Sequence, residues 1–342
     1  MHDEPGIPLR VAQARRTRYR PGPRRDGGGP ERARLSERTY ELHGLAVASP
    51  RPLDAPATDR RPDWTVRLAA PLLVDGAPPG RLIGEAEFGE HRYWATVADG
   101  DRRWITRHRH SAETEFDLDA RSITIRPDPR KPDGYWMLLL AGSGMAHALA
   151  ADGHPALHAS AVEIEGRAIA FIGPSGGGKT TMAALMCRSG ARAVTDDLLR
   201  CGVNGAAASC FRGSSTLRLR SQAKALGEGV GGSIETTDGR TAARFDHSPV
   251  SRMPLAALIV PRPSREASKL ELRRLHGREA AVELLRSPRL AGLIEPGLAL
   301  RHVDLTAALV DAVPVFEATV PWGPPFAPRL AKGIAEGIRA SA

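Results

Sequence analysis

Short alternations of apolar and polar residues dominate the chain from Thr39 to Gly134. Thr65-Val66-Arg67-Leu68, Tyr93-Trp94-Ala95-Thr96-Val97 and Ser122-Ile123-Thr124-Ile125 lie between Gly, Asp and Pro positions, which predicts half-buried strands joined by turns. Residues 135–152 form a longer, mostly apolar stretch and predict a helix packed against the downstream half of the chain. Two strands are then predicted at 159–163 and 167–172, joined by a Glu165-Gly166 turn. A glycine-rich loop leads into a helix over 179–189, with Met182, Leu185 and Met186 on one face and Gly190 closing it. A strand at 191–195 comes next, so strand, loop, helix and strand predict a βαβ unit. Further strands are predicted at 256–260, stopped by Pro261, and at 313–320, with helices over 278–285 and 326–338.

Residues 1–38 have no such pattern and are rich in Arg, Pro and Gly, a composition that cannot bury enough apolar surface to offset ordering. The expected organisation is a disordered basic tail over 1–38, a smaller mostly β subdomain over 39–152 and an α/β P-loop domain over 153–342. Charge refines this picture. The net charge is +9, but the first 38 residues hold ten Arg against five acids, so +5 of it sits in the tail. The basic balance therefore argues little for nucleic acid as a partner of the folded body.

Five of the 48 basic residues are lysines. Three cysteines, Cys187, Cys201 and Cys210, are too few and too irregularly spaced for a zinc site or a disulfide framework, and they suit a reducing cytoplasm. No secretory leader pattern is visible, and the longest apolar stretch, 136–151, is shorter than a bilayer span of ~20 residues, so no membrane partner is expected.

Gly173-Pro174-Ser175-Gly176-Gly177-Gly178-Lys179-Thr180 matches G-x-x-x-x-G-K-[ST]. With lysine so scarce, the chance of a match anywhere in this composition is about 0.005. The backbone N–H groups of Gly176 to Thr180 would face phosphate oxygens at the positive end of the following helix. Gly173, Ser175, Gly177, Gly178 and Thr181 complete the expected cradle. Lys179 would neutralise the β- and γ-phosphates of ATP, and the Thr180 hydroxyl would ligate Mg²⁺.

Asp196-Asp197 come 17 and 18 residues after Lys179 and stand at the end of the predicted strand, where α/β sheets bind ligands. One carboxylate can accept a proton from an attacking hydroxyl and the other can hold Mg²⁺ or its water. Adjacent side chains on a strand end face opposite ways, so the two need not share a task. Capping of a following helix is the alternative. His158, just before a predicted strand, could orient or tune such a base. His154 and His158 carry no H-E-x-x-H pattern, which argues against zinc.

Leu157-His158-Ala159-Ser160-Ala161-Val162, the P-loop, Gly190 and Asp196-Asp197 together resemble the catalytic domain of the HPr serine kinase/phosphorylase family. The resemblance is densest over 155–200 and looser to about 338. It implies a P-loop kinase core of the HPr kinase type, with Asp196 as the catalytic base or acid, His158 beside it, and Asp197 supporting Mg²⁺ and the P-loop. An Ile-Arg-Gly-Leu-Gly-like segment of the bifunctional enzymes is absent, and 39–150 does not resemble their N-terminal domain. The layout is more similar to the HPr-kinase-like enzymes of lasso-peptide clusters, which phosphorylate the C-terminal residue of a peptide. Arg218, Arg240 or Arg244 could then hold a substrate carboxylate or the phosphates.

The expected function is transfer of the γ-phosphate of ATP to a Ser or Thr hydroxyl of a peptide or small protein, in a cytoplasmic enzyme that could be a homo-oligomer. An HPr-directed kinase or a kinase of small hydroxyl metabolites is the alternative. A non-kinase P-loop nucleotide switch, whose hydrolysis would drive binding, is disfavoured because the strand at 256–260 ends in Pro261-Arg262-Pro263 rather than in an acid.

Overall fold

The computed structural model describes residues 37–88, 91–214, 216–231, 233–236, 239–290, 292, 295–327 and 329–340. The expected tail lies outside the described residues except at its end, where Arg38 already belongs to a strand. The fold is mixed α/β. Eight strands come first: β1 (Arg38–Leu42), β2 (Leu45–Ser49), β3 (Trp64–Leu68), β4 (Arg81–Phe88), β5 (His91–Ala98), β6 (Arg103–His108), β7 (Ala112–Asp117) and β8 (Ser122–Pro127). They form one sheet in the order β1-β2-β3-β8-β7-β6-β5-β4, in which β3 runs parallel to both neighbours and all other pairs are antiparallel.

The following segment is α1 (Tyr135–Leu139), a π-helical turn (Leu140–Gly144) and α2 (Met145–Ala151). It packs on the sheet before it: Trp136, Leu140, Met145 and Leu149 share a core with Trp64, Phe116, Ile123 and Ile125. Those four helical positions are spaced four, five and four apart. A plain α-helix would rotate the five-residue step off the buried face, and the wider π turn absorbs the extra residue.

A second sheet contains β9 (Ala156–Leu157), β10 (Ala159–Ile164), β11 (Arg167–Ile172), β12 (Arg192–Thr195), β13 (Leu199–Asn204) and β14 (Ala207–Phe211), with α3 (Lys179–Arg188) between β11 and β12. Three short strands, β15 (Thr216–Leu219), β16 (Ser233–Glu235) and β17 (Thr241–Arg244), make a separate small sheet. The chain then returns with β18 (Arg252–Ser264), β19 (Glu271–Leu275), α4 (Gly277–Leu285), α5 (Pro296–Ala312), β20 (Val315–Pro321) and α6 (Leu330–Ala340). The large sheet runs β12-β10-β11-β18-β14-β13-β9, and β20 pairs with both β18 and β19. Its two faces are covered separately. Met182 and Met186 of α3 join Leu330, Ile334 and Ile338 of α6 on one side, the last three forming an i, i+4, i+8 stripe. Ala280 and Leu284 of α4 and Leu309 of α5 cover the other.

Two sequence expectations change here, and one helix went unpredicted. The βαβ unit is interrupted, because antiparallel β10 lies between β11 and β12 and pairs with both. The strand at 256–260 does not stop at Pro261 but runs on to Ser264, parallel to β20. The Leu258 N–H donates to Pro314 on the β20 side, so Ile259, Pro261 and Pro263 turn their nitrogens the other way. There β11 has already ended, its last partner being Ile259, and the missing prolyl N–H groups cost no ladder bond. Finally, α5 has few fully buried positions, Thr306 and Leu309, and so little periodic signal to betray it.

Candidate active site

The intruding strand builds the site. Because β10 runs against β11 and β12, its first residues lie at the edge where those two strands end, with Ala159 opposite Ile172 and Ala161 opposite Thr195. His158, Ser160, the glycine-rich loop and Asp196-Asp197 thus come from three separate stretches to one edge of the sheet. The loop leaves β11 at Gly173 and enters α3 at Lys179, with Gly178 as N-cap at φ 91°. A side chain at Gly178 would meet Pro263 at 3.3 Å and Pro261 at 3.9 Å, so the two prolines of β18 form the floor of the loop. Left-handed φ and that floor both favour glycine there. The Lys179 ammonium bends back onto the loop and donates to the carbonyls of Gly173 and Pro174, each at 2.9 Å. Burial lowers its pKa to about 8, and the nearby carboxylates of Asp197 and Asp196 oppose that shift.

The two adjacent aspartates face different partners. Asp196 Oδ1 accepts hydrogen bonds from Ser160 Oγ at 2.6 Å and Thr180 Oγ1 at 2.9 Å, and its Oδ2 accepts the backbone N–H of Arg218 at 2.9 Å. Asp197 Oδ1 lies 3.1 Å from His158 Nδ1, and its Oδ2 lies 2.8 Å from Arg289 and 3.3 Å from Arg218. The expected pairing, His158 with Asp196 and Asp197 toward Thr180, is therefore reversed. The backbone explains it, since Asp197 adopts φ 72°, a left-handed conformation uncommon outside glycine that turns its carboxylate from its neighbour's. Burial alone would raise the pKa of Asp197. The charge of Arg289, the bond to His158 and the charge of Arg218 overcome it and hold the carboxyl well below its usual range.

Two cavities meet here. A polar one of about 170 Å³ is lined by the loop, Thr181, Asp196, Arg218 and Arg220. A larger one of about 760 Å³ lies between strands β4 to β6, the helical segment at Tyr135 to Ser143, and the loop after α4. His158, Ser175 and Arg240 line both. Of the expected cradle, Gly173 faces the larger cavity, Ser175, Gly176, Gly178, Lys179, Thr180 and Thr181 line the smaller, and Gly177 turns its N–H onto Pro174 at 3.1 Å. Among the arginines singled out from sequence, Arg218 and Arg240 are at the site, whereas Arg244 is exposed and pairs with Asp54. The basic run Arg107-His108-Arg109-His110 divides in the fold. Arg107 pairs with Glu113 and His110 with Asp75, while His108 bonds Ser143 in the π turn, where burial lowers its pKa to about 3.

Sequence reading missed Arg289, Ser160, Gly142 and Arg220. Arg220 bonds Ser175 Oγ at 3.2 Å. Gly142 stands in the π turn, where a Cβ would lie 2.7 Å from the Arg289 guanidinium and 3.2 Å from Asp197 Oδ2. Only Ser160 had a local signal, sharing a strand face with Val162 two residues from His158.

Among known proteins, no family and no curated relative matches this chain. One solved structure, the HPr(Ser) kinase/phosphatase from Coxiella burnetii, aligns with 54% of this chain and 97% of its own at 12% identity and a TM-score of 0.28. A likeness of that size is too slight to bear on fold or function. No helix among the described residues is long and apolar enough to cross a membrane.

Proposed function

We propose that the chain is an ATP-dependent kinase that phosphorylates a hydroxyl group, that of a Ser or Thr in a peptide or small protein. The observation that carries this reading is the meeting of the two cavities at His158, between the lysine-bearing loop and the Asp197 carboxylate. The smaller cavity takes the phosphates of ATP and the larger takes the acceptor.

The donor set at Asp196 fits Mg²⁺, being hard oxygens from a carboxylate, Thr180 and Ser160. Among the described residues there is no cluster of three His, Cys, Asp or Glu that would hold a metal. Mg²⁺ keeps several of its waters and takes one or two carboxylates plus phosphate oxygens. Asp196 and Thr180 would hold it, and the bound ion would neutralise charge on the phosphates.

Lys179 leaves the two loop carbonyls for the β- and γ-phosphates. His158, with Nδ1 engaged by Asp197, takes the acceptor proton at Nε2. The bond from the acceptor oxygen to the γ-phosphorus forms, the bond from that phosphorus to the bridging oxygen breaks, and ADP departs. Asp197 is too strongly held as a carboxylate to be a good proton acceptor itself, and it fixes the imidazole tautomer instead. A C-terminal serine of a lasso-type peptide falls within this acceptor class.

The test is transfer of labelled γ-phosphate with Mg²⁺ to peptides containing Ser or Thr, to HPr and to small polyols. Label on a hydroxyl, lost in Lys179→Ala and His158→Ala, is the expected result. No transfer to any acceptor, with ATP hydrolysis surviving His158→Ala, would leave a nucleotide switch as the better reading.

A further inference from the structure

The larger cavity has a one-sided chemistry. Five arginines line it, Arg92, Arg109, Arg240, Arg286 and Arg289, and so do His91, His108 and His158, but among the described residues no Asp or Glu does. Two of the arginines are already neutralised, Arg289 by Asp197 at 2.8 Å and Arg92 by Glu85 at 2.6 Å. Two at the outer part are not. The Arg109 side chain has no ion-pair partner among the described residues, and Arg286 has Glu283 only at 3.9 Å, a carboxylate that Arg262 engages at 2.6 Å. These two come from different walls, Arg109 from the turn after β6 and Arg286 from the end of α4. Tyr135 and Leu139 add an aromatic and an apolar side chain to the lining.

We propose that this cavity binds an acceptor carrying an anionic group as well as its hydroxyl, with the anion held between Arg109 and Arg286 and the hydroxyl at His158. The turn that joins β6 and β7 then supplies substrate selectivity, since Arg109 belongs to it. Guanidinium groups suit a carboxylate or a phosphate monoester, both of which they bind by paired charge-assisted hydrogen bonds. A cavity of about 760 Å³ has room for a few residues of peptide or for a small phosphorylated polyol. The place of the hydroxyl rests on the kinase reading above, whereas the anion site does not.

The experiment compares pairs of probes that differ chiefly in one anionic group, on the full chain: the tripeptide Gly-Ala-Ser as free acid and as C-terminal amide, and glycerol 3-phosphate against glycerol. Binding is measured by calorimetry with ADP and Mg²⁺ present, and phosphoryl transfer is measured in parallel with ATP. The charged member of at least one pair is expected to bind roughly tenfold or more tightly, and the pair that shows it distinguishes a carboxylate from a phosphate. In Arg109→Ala, Arg286→Ala and the double variant that ratio collapses toward one, and in Arg102→Ala, which removes an exposed charge from the turn between β5 and β6, it persists. Both arginines are exposed, so folding survives their loss. No preference in either pair, or a preference indifferent to both arginines, overturns the proposal. Charge preference in binding without transfer refutes the kinase reading alone, and transfer without charge preference refutes the anion site alone.

Discussion

His158 and Asp197, separated by 39 positions in sequence, touch at two points: Nδ1 lies 3.1 Å from the carboxylate and 3.2 Å from the backbone carbonyl of the same residue. A ring held on one nitrogen by both groups has a fixed orientation and leaves Nε2 for a ligand. Its neighbour Asp196 takes no part in that contact. The two acids should therefore fail in different ways when altered.

Asp196→Asn should raise the Mg²⁺ concentration needed for half-maximal rate by about tenfold or more, because it removes a hard charged oxygen beside Thr180. Asp197→Asn and His158→Asn should instead lower kcat by roughly 10²–10⁴-fold, the scale of general base catalysis, with the Mg²⁺ requirement unchanged. Initial rates over a Mg²⁺ titration separate the two. A shifted Mg²⁺ requirement in Asp197→Asn would refute the division of roles.

Lys179 makes alkaline stability a reporter of the loop. Its pKa in the fold, about 8, is below the unfolded value near 10.5, so between those limits the unfolded chain binds more protons. Stability without nucleotide should rise with pH across that window, by up to about 3 kcal/mol. Lys179→Met should be the more stable protein at pH 7 and lose its advantage by pH 10.5. Urea denaturation at a series of pH values measures both, and parallel curves for the two proteins would contradict the prediction.

Gly142→Ala should separate activity from stability. Alanine normally favours a helix by ~1 kcal/mol over glycine, and here it pushes against the guanidinium that steadies Asp197. The two effects should nearly cancel in the melting temperature, while turnover falls tenfold or more through the displaced His158–Asp197 pair. Unchanged turnover would show that the π turn does not position the pair.

Arg289→Met leaves a buried carboxylate short of its nearest cation and should cost about 3 kcal/mol. The double variant with Asp197→Asn should recover part of that loss, because the uncompensated charge is gone. Asp197 is depressed in the fold, so its contribution is complete above the unfolded carboxylate range and is lost as pH falls toward its folded value. Without Arg289 the folded value moves up toward the unfolded one, so less stability should be lost on acidification, which denaturation between pH 3 and 7 would detect.

Contiguity decided what could be read from sequence. Lys179, Thr180 and the aspartate pair lie in local patterns whose chemistry depends on neighbours in the chain, and the hairpin of β10 and β11 announced itself through alternation and the Glu165-Gly166 turn, both at positive φ. Which aspartate faced which partner depended on a single left-handed residue, and no local pattern encodes that. Arg289 joins Asp197 across 92 positions, and Gly142 joins them through an irregular helix, so neither had a neighbour to mark it. Pro261 misled because the rule that proline ends a strand assumes a partner on its nitrogen side, and β18 has none there.

The reversed direction of β10 has a mechanical side. Six residues separate the end of α2 at Ala151 from His158, whereas Lys179 lies beyond the whole β10–β11 hairpin. A tilt of the first sheet and its helix would pull on the histidine through this short tether and leave the lysine in place. The halves of the site proposed to accept the proton and to hold the phosphates thus have separate anchors, and the distance between them depends on how the first sheet is seated.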